Sequence, residues 1–370
     1  MRVCFITDDL IKVLGSNRPA YAWCSELVKG NVPCSIVTGK GTSSIISLIK
    51  GSGIDVRVSS GGGNYDPSPY VLFLKTAINA AIKRVNVGIN VDALSDCDVI
   101  VNTSNQHPVA SDVYYFQGFL SDLMIGLMKY SSYVTLKAGS LPGLLPSLII
   151  DSRWVKAMRG SRLITANSSA SARMLTRRGL PSVVVYPPIQ GWLLEAFMEI
   201  DEEGSYALFY VGKEFNSTWF RVVYEEFKPH ISDWRWFGAR HFTPPHWLKA
   251  EYIGYVPEPD LPKAVYAGAK LVITTNVHEP FGYVNTEAVL AGKPTIAIGP
   301  RGEGPWEQWA VLKYPVTWLP PGFKPKVIEK VDSVSRFRVY QNHHPLNTLP
   351  MLLPFIRRTV AIQHFAQAHL

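Results

Sequence analysis

Residues 2–39 switch twice between strand and helix periodicity. An apolar, β-rich run, RVCFIT, is followed by a Gly/Ser/Asn loop (Gly15, Ser16, Asn17). A helical stretch around AYAWCSELVKG then ends in glycine, and a second apolar run, CSIVTG, follows it. This β-loop-α-β order opens a doubly wound parallel sheet and places the chain in the α/β class. Runs at 98–104, 113–118, 162–168 and 182–188 supply further strands, and SSGGGNYDPSPY reads as a loop. A second cycle begins with YALFYVG at 206–212. It continues through WRWFGA (234–239), EYIGYV (251–256), KLVITT (270–275) and PTIAIGP (294–300).

A chain of 370 residues exceeds what one core usually supports, and the cycles are separated by a Pro-rich junction near 186–190. The expectation is two Rossmann-like domains facing across a cleft, 1–188 and 189–345. A helical segment at 346–370 would pack back on the first. Ligands of such sheets bind beyond the carboxyl ends of the strands, so the chemistry is sought in the loops that follow them.

The opening MRVCFITDDL is too short for a signal segment and is stopped by Asp8 and Asp9, and the long uncharged stretches are broken by proline. A cytoplasmic chain without a membrane span is expected. Cys4, Cys24, Cys34 and Cys97 form no C-x-x-C pair, so reduced structural thiols are expected and no zinc site is suggested. All of the formal charge of +8 lies in residues 1–190, which hold 19 Lys+Arg and 11 Asp+Glu (19 − 11 = +8); the rest holds 18 of each. The densest basic segment carries Arg153, Lys156, Arg159, Arg162, Arg173, Arg177 and Arg178. It suits either a solvated face or the anionic inner surface of a membrane. Nucleic acid is not expected, because no helix-turn-helix, zinc-finger or RNA-recognition signature is present.

The segment HEPFGYVNTEAVLAGKP, 278–294, carries the most chemistry. Pro280 and Gly282 prevent one helix from spanning it, so Glu279 falls in the loop after KLVITT and a helix runs from about Tyr283 to Ala291. Gly292 and Pro294 end that helix. The N–H groups of Gly282, Tyr283 and Val284 form an anion site at its start. An anion flanked by two acids suggests a nucleotide bearing hydroxyl-rich groups, read by Glu279 on one side and Glu287 on the other. Taken singly, each acid also suits an ordinary loop or surface-helix position.

The pattern E-P-F-G-x-x-x-x-E-A-x-x-A-G-x-P-x-I resembles the E-x7-E signature of family 4 glycosyltransferases, retaining enzymes of the GT-B fold. The likeness is strongest from Tyr206 to Glu307. It implies that Glu279 contacts the donor sugar, that Phe281, Gly282, Tyr283 and Val284 hold sugar and diphosphate, and that Glu287 binds the ribose diol. It also implies that Lys213 of FYVGK takes the place of a diphosphate-binding Arg, and that Tyr255 and Val256 read the base. Gly238 would form the preceding strand's turn. Gly15 and Ser16 stand where the family has a Gly-rich loop.

Two departures from the family pattern bear on catalysis. The second diphosphate cation would fall near Thr218 or Trp219, with Arg221 as a substitute. The N-domain His is replaced by Gln117, which hydrogen-bonds a hydroxyl but does not titrate. The resemblance implies a UDP- or GDP-sugar donor, no metal or other cofactor, and a carbohydrate, lipid-linked or protein acceptor. The catalytic candidates are Glu279, Lys213 and Gln117. The alternatives are a nucleotide-sugar epimerase of the same fold and a donor-binding protein without transferase activity.

Other motifs point elsewhere with less force. Asp96-Cys97-Asp98 fits a metal-binding D-x-D but precedes a strand, so a strand-entry loop is expected. Asp8 and Asp9 suit loop capping or a ligand-facing role equally. His241, His246, His343 and His344 lack metal-ligand spacing and are expected at the surface. The apolar stretch 119–130 suits a membrane or lipid acceptor, but a helix packed in the N-domain core is expected. Neither G-x-G-x-x-G nor a P-loop is present.

Overall fold

The computed structural model describes residues 1–10, 16–59, 89–130, 134–212, 215–238, 244–254, 256–275, 279–301 and 304–353. The chain forms two compact units. One comprises Met1–Ser121, Pro142–Gln190 and His343–Leu370; the other comprises Asp122–Leu141 and Gly191–Asn342.

Among the described residues, the first unit has seven parallel strands: β1 Val3–Ile6, β2 Cys34–Thr38, β3 Asp55–Val58, β4 Val99–Asn102, β5 Val113–Phe116, β6 Leu163–Ala166 and β7 Val183–Val184. Their order is β3-β2-β1-β4-β5-β6-β7, reversing between β1 and β4. The central strands are buried along their whole length, as in β1 and β2, because helices cover both faces of a parallel sheet. The edge strand β3 escaped the sequence reading: its DVRV alternates, and only Val56 is buried.

The helices that follow in chain order are α1 Arg18–Lys29, α2 Ser43–Gly51, α3 Leu120–Tyr130, α4 Val134–Arg159 and α5 Ser169–Thr176. The apolar stretch assigned to the N-domain core is divided by the unit boundary at 121/122. Its Phe119, Met124 and Leu127 are buried.

The expectation of reduced thiols is overturned. Cys4 is bonded to Cys97 and Cys24 to Cys34. The fold creates both pairs: Cys97 lies in the loop entering β4, which pairs with β1 beside Cys4, and α1 lies over β2, with Cα atoms 5.8 and 5.5 Å apart. Neither proximity is encoded in spacing.

The second unit repeats the plan, with β8 Tyr206–Val211, β9 Trp234–Gly238, β10 Glu251–Gly254, β11 Ala269–Thr275, β12 Thr295–Ile298 and β13 Val316–Leu319. The order is β10-β9-β8-β11-β12-β13, all parallel, reversing between β8 and β11. Its helices are α6 Gly191–Met198, α7 Ser217–Phe227, α8 Tyr283–Leu290, α9 Trp306–Leu312 and α10 Ser333–His343, with a π-helical turn at Pro262–Ala267. The last described helix, α11 Pro345–Leu352, belongs to the first unit. Leu349 and Leu352 enter that unit's core, and Trp23 Nε1 donates to Thr348 Oγ1 at 2.9 Å. No helix among the described residues is long and apolar enough to cross a membrane.

Candidate functional site

In the second unit the strand order reverses between β8 and β11, and at such a reversal a doubly wound sheet takes its ligand beyond the carboxyl ends of the strands. The loops leaving the two strands are tied together. Asn216 N–H donates to Thr275 Oγ1 at 2.9 Å, while Asn216 Oδ1 caps α7 by accepting from Trp219 N–H at 3.0 Å. Asn216 Nδ2 also donates to the Tyr130 carbonyl at 2.6 Å. An Asn directly before an amphipathic helix is an N-cap signal, so this role of Asn216 is readable in the sequence.

The E-x7-E segment folds with the predicted break. Gly282 caps α8 in the left-handed region (φ 88°), where a β-carbon would approach Trp309 Cζ2 to 2.5 Å. Thr274 and Asn285 hydrogen-bond at 2.9 Å and tie α8 to β11. At the other end, Gly292 has φ 75°, and the N–H of Lys293 returns to the Ala288 carbonyl, the glycine stop that was expected.

Two expectations at this turn are corrected, and the surface-helix alternative for Glu287 is excluded. The Gly282 N–H is not held ready for an outside anion: Glu279 Oε1 accepts it at 2.8 Å, together with Phe281 N–H at 3.1 Å. A carboxylate three residues before a helix N-cap is drawn to these donors by the helix dipole. Phe281 is buried against Tyr283, ring centroids 5.1 Å apart, and so forms the core of the turn. Glu287 is no surface residue. It is 2% exposed, and its Oε2 accepts from Tyr266 Oη at 2.7 Å. Tyr266, from the π-helical turn, went unrecognised because its partner lies 21 residues along the chain. Tyr283 and Val284, half-buried, begin α8 as expected.

The neighbouring strand ends lie along the same edge. Gly238 closes β9 at φ 113°, opposite Val211 of β8; a β-carbon there would collide with the Val211 carbonyl. Its own carbonyl accepts from Tyr252 Oη at 3.3 Å. Val256 lies just past β10, two strands from β8, about 10 Å along the edge. Arg221 is exposed on α7, its guanidinium 5.5 Å over the Trp247 ring. Lys213, Tyr255 and Gly15 lie outside the described residues, as does His241.

In the first unit the reversal between β1 and β4 gathers a second polar cluster. Asp8 Oδ1 accepts from Ser104 Oγ and Asn105 N–H, both at 2.7 Å. Burial pushes the Asp8 carboxyl above the ordinary carboxylate range, against the pull of Ser104, His107, Ser16 and Asn105. Asp9 N–H donates to Gln106 Oε1 at 2.9 Å, and Asp9 Oδ1 accepts from Lys40 N–H at 2.9 Å. The capping role of this pair is therefore realised.

The amide nitrogen of Gln117 is engaged within the first unit. Its Nε2 donates to the Ser16 carbonyl at 3.0 Å and the Thr103 carbonyl at 2.6 Å, so the amide nitrogen fastens the loop after β1 to the end of β4. Asp96 and Asp98 serve Arg57 and the Arg2 N–H, as a strand-entry loop would. His343, expected at the surface, is fully buried. Its Nδ1–H donates to the Pro187 carbonyl at 2.8 Å, and desolvation lowers its pKa to about 4.

No family model matches the chain, and no curated protein matches it in sequence. Solved structures do match. Sucrose-phosphate synthase from Thermosynechococcus elongatus superposes with a TM-score of 0.62 at 13% identity, covering 98% of this chain and 100% of that one. Anabaena HepE in complex with UDP-glucose gives 0.54 at 14% identity, covering 99% and 100%. WaaG, a glycosyltransferase involved in lipopolysaccharide biosynthesis, gives 0.54 at 12% identity, covering 97% and 99%. The chain has the GT-B fold of these proteins.

Proposed function

We propose that the protein is a glycosyltransferase that takes a sugar from a UDP- or GDP-sugar bound at the carboxyl edge of the second unit's sheet. The observation that carries this reading is the placing of Glu279, the α8 N-terminus and Glu287 beside the β8–β11 reversal, in a chain whose fold is that of sugar-transferring proteins. HepE was solved in complex with UDP-glucose, which supports the donor class.

The diphosphate meets the α8 N-terminus at Tyr283 and Val284 and is neutralised by Lys213. Glu287, oriented by Tyr266, accepts from the ribose diol, and Tyr255 and Val256 take the base. Glu279 accepts from hydroxyls of the donor sugar. Its bonds to Phe281 and Gly282 hold that carboxylate in place before the donor arrives.

Transfer breaks the bond between the anomeric carbon and the β-phosphate oxygen and joins that carbon to an acceptor oxygen. The departing phosphate takes the acceptor proton on the same face, so configuration is retained and no protein base is needed. Fixed N–H groups and Lys213 stabilise the charge that develops on the leaving group without metal. Gln117 acts by positioning the Ser16 loop. Membership of the retaining family 4 rests on the E-x7-E motif.

The test is release of nucleoside diphosphate from UDP- and GDP-glucose, with and without simple sugar acceptors, and NMR of the anomeric product. Acceptor-dependent release with retained configuration is expected. Interconversion of the donor sugar without acceptor would instead establish an epimerase, and binding without turnover a donor-binding protein. Inverted product would overturn the family 4 assignment.

A further inference from the structure

Helix α4 is patterned inside out along one stretch. Its inward positions are small or polar: Gly143, Ser147 and Asp151, all buried. Its outward positions are aliphatic: Leu145 at 71% exposure, Leu148 at 48% and Ile149 at 41%. A helix covering a core in water carries the reverse pattern. The inward side is explained by Asp151, which accepts from the N–H groups of Leu120 and Ser121 at the start of α3. Nothing of that kind among the described residues accounts for three aliphatic side chains facing out.

The cations continue the same face. At the helical period, positions 145, 148, 149, 152, 156 and 159 lie on one side. Further along α4, Trp154, Ala157 and Met158 turn inward to the core, whereas Lys156 and Arg159 are exposed and make no ion pair among the described residues. Residues 152–190 hold seven Lys+Arg and no Asp or Glu. Two of these also make contacts within the chain. Arg178 lies 3.7 Å over Phe119 and donates to the Met174 carbonyl, and Arg162 pairs with Asp112 at 3.2 Å.

We propose that this face of α4 docks on an anionic lipid bilayer. Leu145, Leu148 and Ile149 enter the boundary between headgroups and acyl chains, and Lys156 and Arg159 meet the lipid phosphates. A protein partner fits less well: the apolar row has no aromatic or Arg anchor, and the charge beside it has one sign over a long stretch. The docking face does not depend on the transfer reaction proposed above.

The experiment is flotation of the full chain with vesicles of phosphatidylcholine alone and of phosphatidylcholine with phosphatidylglycerol in equal parts. Binding is expected only to the second and should weaken as salt is raised. Leu145→Ser with Leu148→Ser should lower binding by about tenfold or more. Lys156→Glu with Arg159→Glu should lower it about fivefold or more for each charge and flatten the salt dependence. Thermal midpoints of both variants verify that they remain folded. Equal binding to both vesicles, no binding to either, or variants that float like the parent would overturn the proposal. So would a parent dimer in gel filtration that Leu145→Ser makes monomeric, because a second copy would then occupy the face.

Discussion

Tyr266 Oη donates to Glu287 Oε2 at 2.7 Å, with both residues closed off from solvent. The bond joins the π-helical turn leading into β11 to the helix leaving it, and so fixes the rotamer of a buried carboxylate before any ligand arrives. Tyr266→Phe keeps the ring against Phe197 and removes only the donor. Nucleotide affinity by calorimetry should then fall about fivefold, the worth of one net hydrogen bond. Glu287→Ala should cost more. Unchanged affinity in both would remove Glu287 from the site.

Glu279 differs because its partners are backbone N–H groups of its own turn. Glu279→Gln keeps the size and loses the charge. The transfer rate kcat should fall about ten- to a hundredfold with little change in donor KM, as for a lost charge-assisted contact to the reacting sugar. A rise in KM alone would make Glu279 a simple binding residue.

Gly282→Ala meets two penalties together, a left-handed backbone and the Trp309 ring. A stability loss of about 2 kcal/mol or more is expected in denaturant unfolding. Adding Trp309→Phe should restore only part of it, since the backbone penalty remains. Full restoration would assign the whole effect to the ring.

His343 links stability to pH. Its folded pKa of about 4 lies below the unfolded value near 6.5. The unfolded chain therefore binds the proton first as pH falls. The stabilisation is complete above pH ~6.5 and drains away toward pH ~4, by about 3 kcal/mol. His343→Gln retains a donor for the Pro187 carbonyl and does not titrate. The difference in unfolding free energy between parent and variant should change across that window. A constant difference would mean that His343 is protonated in the fold.

The architecture was legible because parallel strands buried on both faces read as unbroken apolar runs, VCFI and CSIVT among them. The edge strand β3, DVRV, lacked that signal. The break at Pro280 and Gly282 and the stop at Gly292 were legible because glycine and proline act locally. What stayed hidden was long-range: the Tyr266–Glu287 bond, the Asn216–Thr275 tie, the Gln117 bridge from Ser16 to Thr103 and both disulfides. Each depends on which strands become neighbours, and sheet order is not written in any short segment. The outward leucines of α4 were hidden for a related reason, since which face of a helix is covered is decided by the rest of the unit.

The central claim is that a nucleoside diphosphate sugar binds the second unit at Glu287. The most direct measurement is the thermal midpoint of the parent and of Glu287→Ala with UDP-, GDP-, ADP- and TDP-glucose, because a ligand of the folded state raises it. At least one donor should raise the parent's midpoint and leave the variant's nearly unmoved. No shift with any donor, or equal shifts in the two proteins, would contradict it.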